Sequence, residues 1–474
     1  MELNINFSLV FAVLAVGLLA ITGDSTLTWT SPMYPKLYSN DTKVNPLGKP
    51  ITEEQDTWIG SLISIGAMVG PFLFVHLAEN YGRKLALLCI AIPHITSFLT
   101  LAFAKNIYLY YFARLLGGLS EGAGYSVMPM YIAEISEDSN RGMFLSMLNC
   151  FWTFGNFFPY AIGPFMKAMW FNVVLACLPI TFFITFLFFA PETPYFYAKK
   201  NRFDEAEKSL RSLRNVDDKL LKIELEHIKS SIANEEHGSI KDIIKSRPLQ
   251  KALTISVVLV CIQQLSGFNA IVSYLLIIFN SSGSAIPDEI ACIIFGALLF
   301  ASSFFAPFIT DRWGRKILLI TSCLGIFLSH IALGSFFYVK NNTTASIEPI
   351  KWLPIVSLLC FNVFFNVGLS PIPWSLSAEL FPSSVRSSAA TITSSSCWMT
   401  SFFVTKCFNM MVDHLGNAGT FWFYAWICFF GGIFTLFFVP ETKGKSFVEI
   451  QSILAGEKST EKINENYKEN LEKF

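Results

Sequence analysis

Three amides lie close together in an otherwise apolar stretch: Gln263, Gln264 and Asn269. An amide both donates and accepts hydrogen bonds, which suits a neutral ligand whose hydroxyls do the same. A charged ligand would call for a fixed counter-charge instead. On an ideal helix Asn269 stands about 140° from Gln264 and about 240° from Gln263. The three share one pocket only if the helix bends, and Gly267 lies between them. Hydrogen bonding between helices accounts for buried amides equally well. Three charges are set as deep in apolar surroundings: Asp24, Arg114 and Glu121. Insertion scales place a lone charge there at roughly 2.5–3.5 kcal/mol, so each needs a partner or a role. Arg114 and Glu121 are two turns apart on one helix face, and Asp24 could reach Arg114.

Other chemistries find no support. The ten Cys all fall inside apolar stretches with no C-x-x-C, so they read as small buried hydrophobes. The six His are scattered without H-E-x-x-H, and no metal site is expected. Gly444-Lys-Ser446 matches the end of a phosphate-binding loop, but Val439 stands where its first glycine is required. No nucleotide site follows, and no cofactor is expected.

These residues sit in a chain of 474, 53% apolar and 15% charged, with mean hydropathy +0.48. An ordinary soluble protein carries roughly 25% charged residues. Lys+Arg and Asp+Glu are equal at 35 each, so nothing points to a nucleic-acid partner. The composition predicts an all-α polytopic membrane protein. Twelve stretches approach the ~20 apolar residues that a span needs: Phe7–Trp29, Trp58–Leu77, Leu85–Phe103, Tyr108–Ile132, Gly142–Phe165, Trp170–Phe189, Leu253–Phe279, Ile290–Thr310, Ile317–Val339, Trp352–Ala378, Ser387–Phe408 and Thr420–Val439. The first lacks the basic lead-in and cleavage site of a signal peptide, so it is read as a span. With both termini cytoplasmic, the short loops bearing Arg83, Lys84, Arg141, Arg312, Arg315, Lys316 and Arg386 fall inside. Asn40, Asn280, Asn341 and Asn342, each in a glycosylation sequon, then fall outside.

The two halves of the chain repeat. Leu77-Ala-Glu-Asn-Tyr-Gly-Arg-Lys84 after the second span matches Ile309-Thr-Asp-Arg-Trp-Gly-Arg-Lys316 after the eighth, at an offset of 232. Glu134 and Arg141 recur as Glu379 and Arg386 at an offset of 245, and Pro191-Glu-Thr193 recurs as Pro440-Glu-Thr442 at 249. Charges at helix ends can pair between bundles without crossing lipid, and contacts that hold one state and break in another are what alternating access needs. Arg83, Glu134, Arg141, Glu192, Asp311, Arg315, Glu379, Arg386 and Glu441 form such a set. They also serve topology and helix capping; their duplication favours a cytoplasmic gate.

A parallel six-plus-six repeat is the layout of the major facilitator superfamily. The repeated Gly-Arg-Lys loops, the two E-x6-R pairs, Pro-Glu-Thr after spans 6 and 12, Gln263-Gln-Leu-Ser-Gly-Phe-Asn269 and Pro371-Ile-Pro-Trp374 together resemble the sugar porters of that superfamily over about residues 7 to 450. Trp29-Thr-Ser-Pro32 and Pro191-Glu-Thr-Pro-Tyr-Phe-Tyr197 look most like the insect facilitated trehalose transporter branch. The resemblance implies sugar contacts for Gln263, Gln264, Asn269 and Trp374, whose indole can stack on a sugar ring. Asn149 stands where many relatives have Gln, Asn366 where glucose carriers are often acidic, Cys397 where others have Asn, and Leu299 where Asn is common. Asn149 and Asn366 join the expected substrate contacts, and the departures bear on which sugar is carried. Proton-linked sugar porters use an Asp–Arg pair like Asp24 and Arg114; a structural ion cluster in a facilitator is the other reading.

The expected organisation is an N-terminal six-helix half over 1–190, a cytoplasmic amphipathic-helix linker over 191–251, a C-terminal half over 252–440 and a cytoplasmic tail over 441–474. Phe203, Ala206, Leu210 and Leu213 form one stripe of the linker, and Leu221, Leu225, Ile228 and Ile232 another; a disordered linker is the alternative. The chain is expected to be a non-enzymatic, multi-pass plasma-membrane uniporter of a small neutral sugar in the lipid bilayer, trehalose first and a hexose second. Proton–hexose symport and a non-transporting sugar receptor are the alternatives.

Overall fold

The computed structural model describes residues 6–137, 139–215, 218–233, 240–283, 286–445 and 447–455, without the side chains of 233, 240–241, 306–311, 383 and 447–448. The tail beyond 455 and the side chain of Asp311 lie outside the described residues. A helix lies over every one of the twelve apolar stretches: α1 (Phe7–Thr28), α3 (Glu53–Tyr81), α4 (Arg83–Phe103), α5 (Ile107–Ile135), α6 (Arg141–Ile162), α7 (Ala168–Phe189), the pair α12 (Arg247–Leu265) and α13 (Phe268–Ser282), α14 (Asp288–Trp313), α15 (Arg315–Asn342), the pair α16 (Leu353–Phe364) and α17 (Ile372–Leu380), and α18 (Ser383–Phe438), which covers two. A short α2 (Thr30–Leu37) prolongs α1. Among the described residues nine helical runs are long and apolar enough to cross a membrane, the Ser384–Phe438 run counting once. The last two predicted spans are thus one helical run broken at Gly416, with φ 70° and ψ 170°. The more polar α5 and α6 complete the set.

Local chemistry sets the helix ends. Thr52 and Gln55 form a reciprocal capping box at the start of α3, followed by Glu53, Glu54 and Asp56 in its first turn. Gly82 (φ 118°) and Gly314 (φ 84°) separate α3 from α4 and α14 from α15. A side chain is strained at such angles, which explains a glycine in each repeat. In span 10, Pro371 and Pro373 lack the N–H that would continue the ladder; a π turn over Phe365–Leu369 precedes them, with the Ser370 N–H donating to the Phe365 carbonyl at 2.8 Å.

Helices α3 and α5 pack backbone against backbone. A Cβ on Gly118 would strike the Ile63 carbonyl, and one on Gly122 the Ala67 carbonyl, so only small residues fit. Phe188, Phe189, Phe437 and Phe438 are exposed on the outside, as a lipid-facing surface requires. The end of the bundle that carries the Gly-Arg-Lys loops is called the motif end below.

Inside, one apolar cluster packs α1 and α3–α7 near the motif end, around Val16, Met128, Ile132 and Phe182. A second, larger cluster runs through α12–α18 and continues without a break into Trp29, Tyr34, Ile59 and Tyr110 at the opposite end of the first half. The two halves therefore share one core at the end away from the motifs.

The segment after α7 forms α8 (Pro194–Lys199), α9 (Phe203–Leu213), α10 (Asp218–Ala233) and α11 (Ile240–Lys245). Ala206, Leu210, Leu221, Leu225 and Ile228 close its own small core, while Leu213 packs into the transmembrane bundle. Arg214 fixes the segment beneath α5, donating to the Ile135 carbonyl at 2.7 Å and to Glu224 at 2.8 Å.

Candidate functional site

The amides of the seventh span meet because the helix breaks. Ser266 Oγ donates to the Gln263 carbonyl at 2.7 Å, the Gly267 N–H to the Gln264 carbonyl at 3.0 Å, and Gly267 turns the chain at φ 85°. A Cβ there would also enter the Tyr424 ring. After this turn Asn269 Nδ2 reaches Gln264 Oε1 at 2.7 Å and Ser401 Oγ on α18. Gln264 Nε2 donates to Cys397 Sγ at 3.0 Å, and Gln263 Nε2 to the Ser370 carbonyl at 2.9 Å. Gln263 Oε1 is buried with no hydrogen-bond partner among the described residues.

A second polar group faces this one from the first half. Tyr125 donates to Asp24 Oδ1 at 2.6 Å, and Asn156 Nδ2 donates to Asp24 Oδ2. The Tyr125 ring lies 4.6 Å from that of Trp152 and 6.1 Å from that of Trp398, the neighbour of Cys397. Asp24 and the amide group are thus linked through Tyr125 and Trp398 across the interface between halves. Asn156 Oδ1 and both Glu121 oxygens are buried without a hydrogen-bond partner among the described residues.

Arg114 does not pair with Asp24 in this structure. It donates to the carbonyls of Ile59 (2.9 Å) and Thr26, and its guanidinium lies 5.3 Å from the Trp29 ring centroid. Asp24 is instead held by Tyr125 and Asn156, although the Thr26 carbonyl that Arg114 takes lies only two residues further along α1.

At the motif end the sequence repeat is a repeat in space. Arg83 pairs with Glu134 at 2.8 Å, Thr193 donates to the other Glu134 oxygen, and Glu192 accepts the N–H groups of Arg83 (3.0 Å) and Lys84 (2.9 Å). Arg315 pairs with Glu379 at 3.0 Å, Thr442 donates to the other Glu379 oxygen, and Glu441 accepts the N–H groups of Arg315 and Lys316, both at 3.0 Å. Burial pushes the Glu192 carboxyl above the usual range, opposed by those N–H groups and by Arg83. For Glu441 burial acts in the same direction, but the N–H groups of Lys443, Arg315 and Lys316 outweigh it and hold the carboxyl below the usual range. Arg141 Nε donates to the Ala133 carbonyl at 3.1 Å, and Arg386 donates to the Phe381 carbonyl at 3.2 Å. The expected pairing between bundles is therefore replaced, for Arg83–Glu134 and Arg315–Glu379, by pairing within each bundle.

Contacts between halves concentrate at the opposite end. Asp56 Oδ1 accepts from Tyr274 (3.0 Å) and Asn409 (2.8 Å), Oδ2 accepts from Tyr38, and the Asp56 carbonyl accepts from Tyr34 at 2.9 Å. The Tyr34 and Tyr274 rings stack at 5.0 Å. Lys406 donates to Thr57 at 2.8 Å while lying 4.0 Å from the Trp58 ring centroid. Deeper in, Ser64 and Ser401 join α3 to α18 at 3.0 Å. The bundle is sealed at this end.

A paired-half bundle with this polar seam agrees with its relatives. The family model described as "Sugar (and other) transporter" matches residues 20–454. The chain belongs to the sugar transporter family. It is 34% identical over 457 residues to the facilitated trehalose transporter Tret1 of Culex quinquefasciatus, covering 95% of this chain and 86% of that one. It is 35% identical over 408 residues to that of Bombyx mori, covering 85% and 79%. Its fold matches the inward open xylose transporter XylE from E. coli with a TM-score of 0.77 at 22% identity, over 94% of this chain and 99% of that one. The D-xylose-proton symporter matches with a TM-score of 0.68 at 22% identity, over 92% and 99%. This sugar transporter is a multi-pass membrane protein and not an enzyme.

The remaining expected residues of this sugar transporter fall in different surroundings. Asn366 is buried and donates to Asn362 Oδ1 at 2.8 Å, which in turn donates to the Phe295 carbonyl at 2.8 Å. Trp374 is 41% exposed and Asn149 is exposed, so neither joins the hydrogen-bonded seam. Asn40, Asn280, Asn341 and Asn342 are exposed at the end opposite the motifs. Sequence reasoning missed Tyr125, Asn156, Asp56, Tyr274 and Asn409. Asn156 had a signal, being a polar residue seven positions after Asn149 on the same helix face; the partners of Asp56 had none.

Proposed function

We propose that this transporter carries a neutral sugar, trehalose first, across the plasma membrane by alternating access as a facilitative uniporter. The observation that carries the reading is the polar seam of neutral donors and acceptors around Gln263, Gln264 and Asn269, lying between two halves sealed at one end. The two relatives named above, facilitated trehalose transporters at 34% and 35% identity, support trehalose. Gln263, Gln264, Asn269 and Asn366 contact the sugar from the second half. Asn149 and Trp374 contact it from exposed positions when the halves move.

In this reading the motif end is cytoplasmic, with both termini, and Asn40, Asn280, Asn341 and Asn342 face outside as glycosylation sites. Residues 1–190 and 252–440 move against each other, 191–251 underlies them, and 441–474 is the cytoplasmic tail. Arg83, Glu134, Arg141, Glu192, Asp311, Arg315, Glu379, Arg386 and Glu441 form the cytoplasmic gate, and the Asp56 hub forms the outer one.

A proton–hexose symporter is the second reading, favoured by Asp24 and Glu121, two carboxyl groups buried beside one another with no ion pair to Arg114 among the described residues. Labelled-trehalose uptake into proteoliposomes, with glucose as competitor and with or without an inward proton gradient, separates the two. Saturable trehalose uptake indifferent to the gradient, and unchanged in pH profile by Asp24→Asn, is the expected result. Proton-driven accumulation abolished by that substitution overturns uniport, and glucose flux without trehalose flux overturns the substrate.

A further inference from the structure

Gly444 and Lys445, from the end of the incomplete phosphate-binding loop in the sequence, return here in another setting. After α18 the chain turns at Gly444 (φ 70°), and α19 (Phe447–Ala455) docks beneath the second half, with Gln451 donating to the Leu380 carbonyl at 2.8 Å and Leu454 accepting from Lys251 at 2.8 Å. Between this turn and the ends of α15 and α18 lies a cavity of about 350 Å³. Its walls carry Arg315, Arg386, Lys443 and Lys445, against the Glu379 carboxylate.

That carboxylate is already committed, since it accepts from Arg315 and Thr442. Glu441 nearby is spent on three backbone N–H groups, of Arg315, Lys316 and Lys443. Arg386 donates to the Phe381 carbonyl alone, Lys443 Nζ to the Arg312 carbonyl at 2.7 Å, and no carboxylate pairs with Arg386, Lys443 or Lys445 among the described residues. Each has hydrogen-bond donors in hand.

The corresponding cavity of the first half shows what is missing. There, in about 240 Å³, Arg141 and Arg214 are matched by Glu137 and Glu224, with Arg214 bound to Glu224 at 2.8 Å and 3.7 Å from Glu137. Helix α10 brings one of those acids, and among the described residues the second half has no equivalent segment. Among the described residues the same motif is neutralised in one half and left cationic in the other.

We propose that the cavity beneath α15 and α18 binds a phosphate-bearing anion, a phosphomonoester headgroup or free phosphate. Forked Arg donors and flexible Lys ammoniums suit the three outer oxygens of a phosphomonoester, whereas a carboxylate has too few acceptors for four cations. The volume lies at the lower end of the roughly 300–1,000 Å³ typical of small-ligand sites. The occupant joins Arg315 on α15, Arg386 on α18 and the 443–445 turn.

The test uses the purified full chain and two probes, dipalmitoyl phosphatidylinositol 4-phosphate diluted in phosphatidylcholine nanodiscs and inorganic phosphate in solution. Native mass spectrometry reads lipid retention, and a thermal shift reads phosphate. Lys443→Gln with Lys445→Gln should lower binding about tenfold or more, at the usual worth of a lysine near an anionic headgroup. Lys208→Gln with Lys222→Gln, removing equal charge from the exposed face of α9 and α10, should bind as wild type. Lipid retention without a phosphate shift assigns the site to a headgroup, and a shift with phosphate alone assigns it to the free anion. Lys445→Gln alone, expected to lose about fivefold, serves if the double variant does not fold. Binding of neither probe above neutral lipid, or equal binding by the Lys443/Lys445 variants and wild type, overturns the proposal.

Discussion

Tyr274 on α13 donates its hydroxyl to the Asp56 carboxylate on α3 at 3.0 Å, joining the two halves at the end away from the repeated motifs. The same carboxylate takes Tyr38 from its own half and Asn409 from the other. One side chain therefore gathers donors from both moving bodies, and its neighbourhood decides how readily that end opens.

Tyr274→Phe keeps the stacking on Tyr34 and Phe408 and removes only the hydroxyl. A hydrogen bond to a charged group contributes about 1.5–3 kcal/mol, so the sealed state should lose roughly tenfold or more in population. A reporter cysteine at Ser64, read with an impermeant maleimide from the Asp56 side, should label faster in the variant. An unchanged labelling rate would show that the apolar core alone holds this end shut.

Glu134→Gln and Glu379→Gln should each destabilise the protein by about 1–3 kcal/mol, because each leaves a partly buried arginine short of its charged acceptor. Since each pair lies inside its own half, the two effects should add within about 0.5 kcal/mol. Thermal unfolding of the two single variants and the double one measures this. A coupling above 1 kcal/mol would mean that the pairs touch across the halves in the unliganded protein.

The two Pro-Glu-Thr glutamates should respond oppositely to pH. Glu441 is held below its ordinary value, so its contribution is present above about pH 4.5 and fades as pH falls through the lowered value. Glu441→Gln should lower stability by at most about 1 kcal/mol at pH 7, after allowance for solvent screening, with the difference closing in acid. Glu192 is held above its ordinary value, so the native state gains on protonation and that gain is lost as pH rises. Relative to wild type, Glu192→Gln should therefore fall behind as pH drops. Melting temperatures of both variants between pH 4 and 8 should diverge in these directions; parallel curves would sink the assignment.

Gly267→Ala places a side chain at φ 85° and against the Tyr424 ring. Left-handed backbone at a non-glycine residue costs about 1–2 kcal/mol before any clash. A helix that straightened to relieve it would carry Asn269 away from Gln264. Sugar uptake should drop at least about tenfold while the protein still reaches the membrane, and uptake at the wild-type rate would divorce the amide pair from transport.

The spans, the internal repeat and the motif charges were legible in the sequence because each is a local pattern: apolar length, a repeated loop, a fixed spacing. The break of the seventh span was half legible, since Gly267 separates amides that a straight helix would point apart. The seam around Asp24 was not. Its partners Tyr125 and Asn156 lie 101 and 132 residues away, and nothing in the periodicity of α1 indicates which neighbours it meets. Asp24 and Arg114 looked like natural partners by charge; two backbone carbonyls and an indole hold the arginine elsewhere. Asp56 carries no mark in the sequence, since an acid in the first turn of a helix such as α3 is commonplace.

The ties at the motif end have a consequence for assembly. Arg83 with Glu134 and Glu192, and Arg315 with Glu379 and Glu441, are each complete within a single run of six spans. What the halves exchange is the shared apolar core and the tyrosine-lined hub, surfaces that need meet only once both bodies exist. A chain divided between α10 and α11 and produced as two polypeptides would keep every one of these ties in the piece that needs it, so the pieces should find each other in the bilayer and work as one.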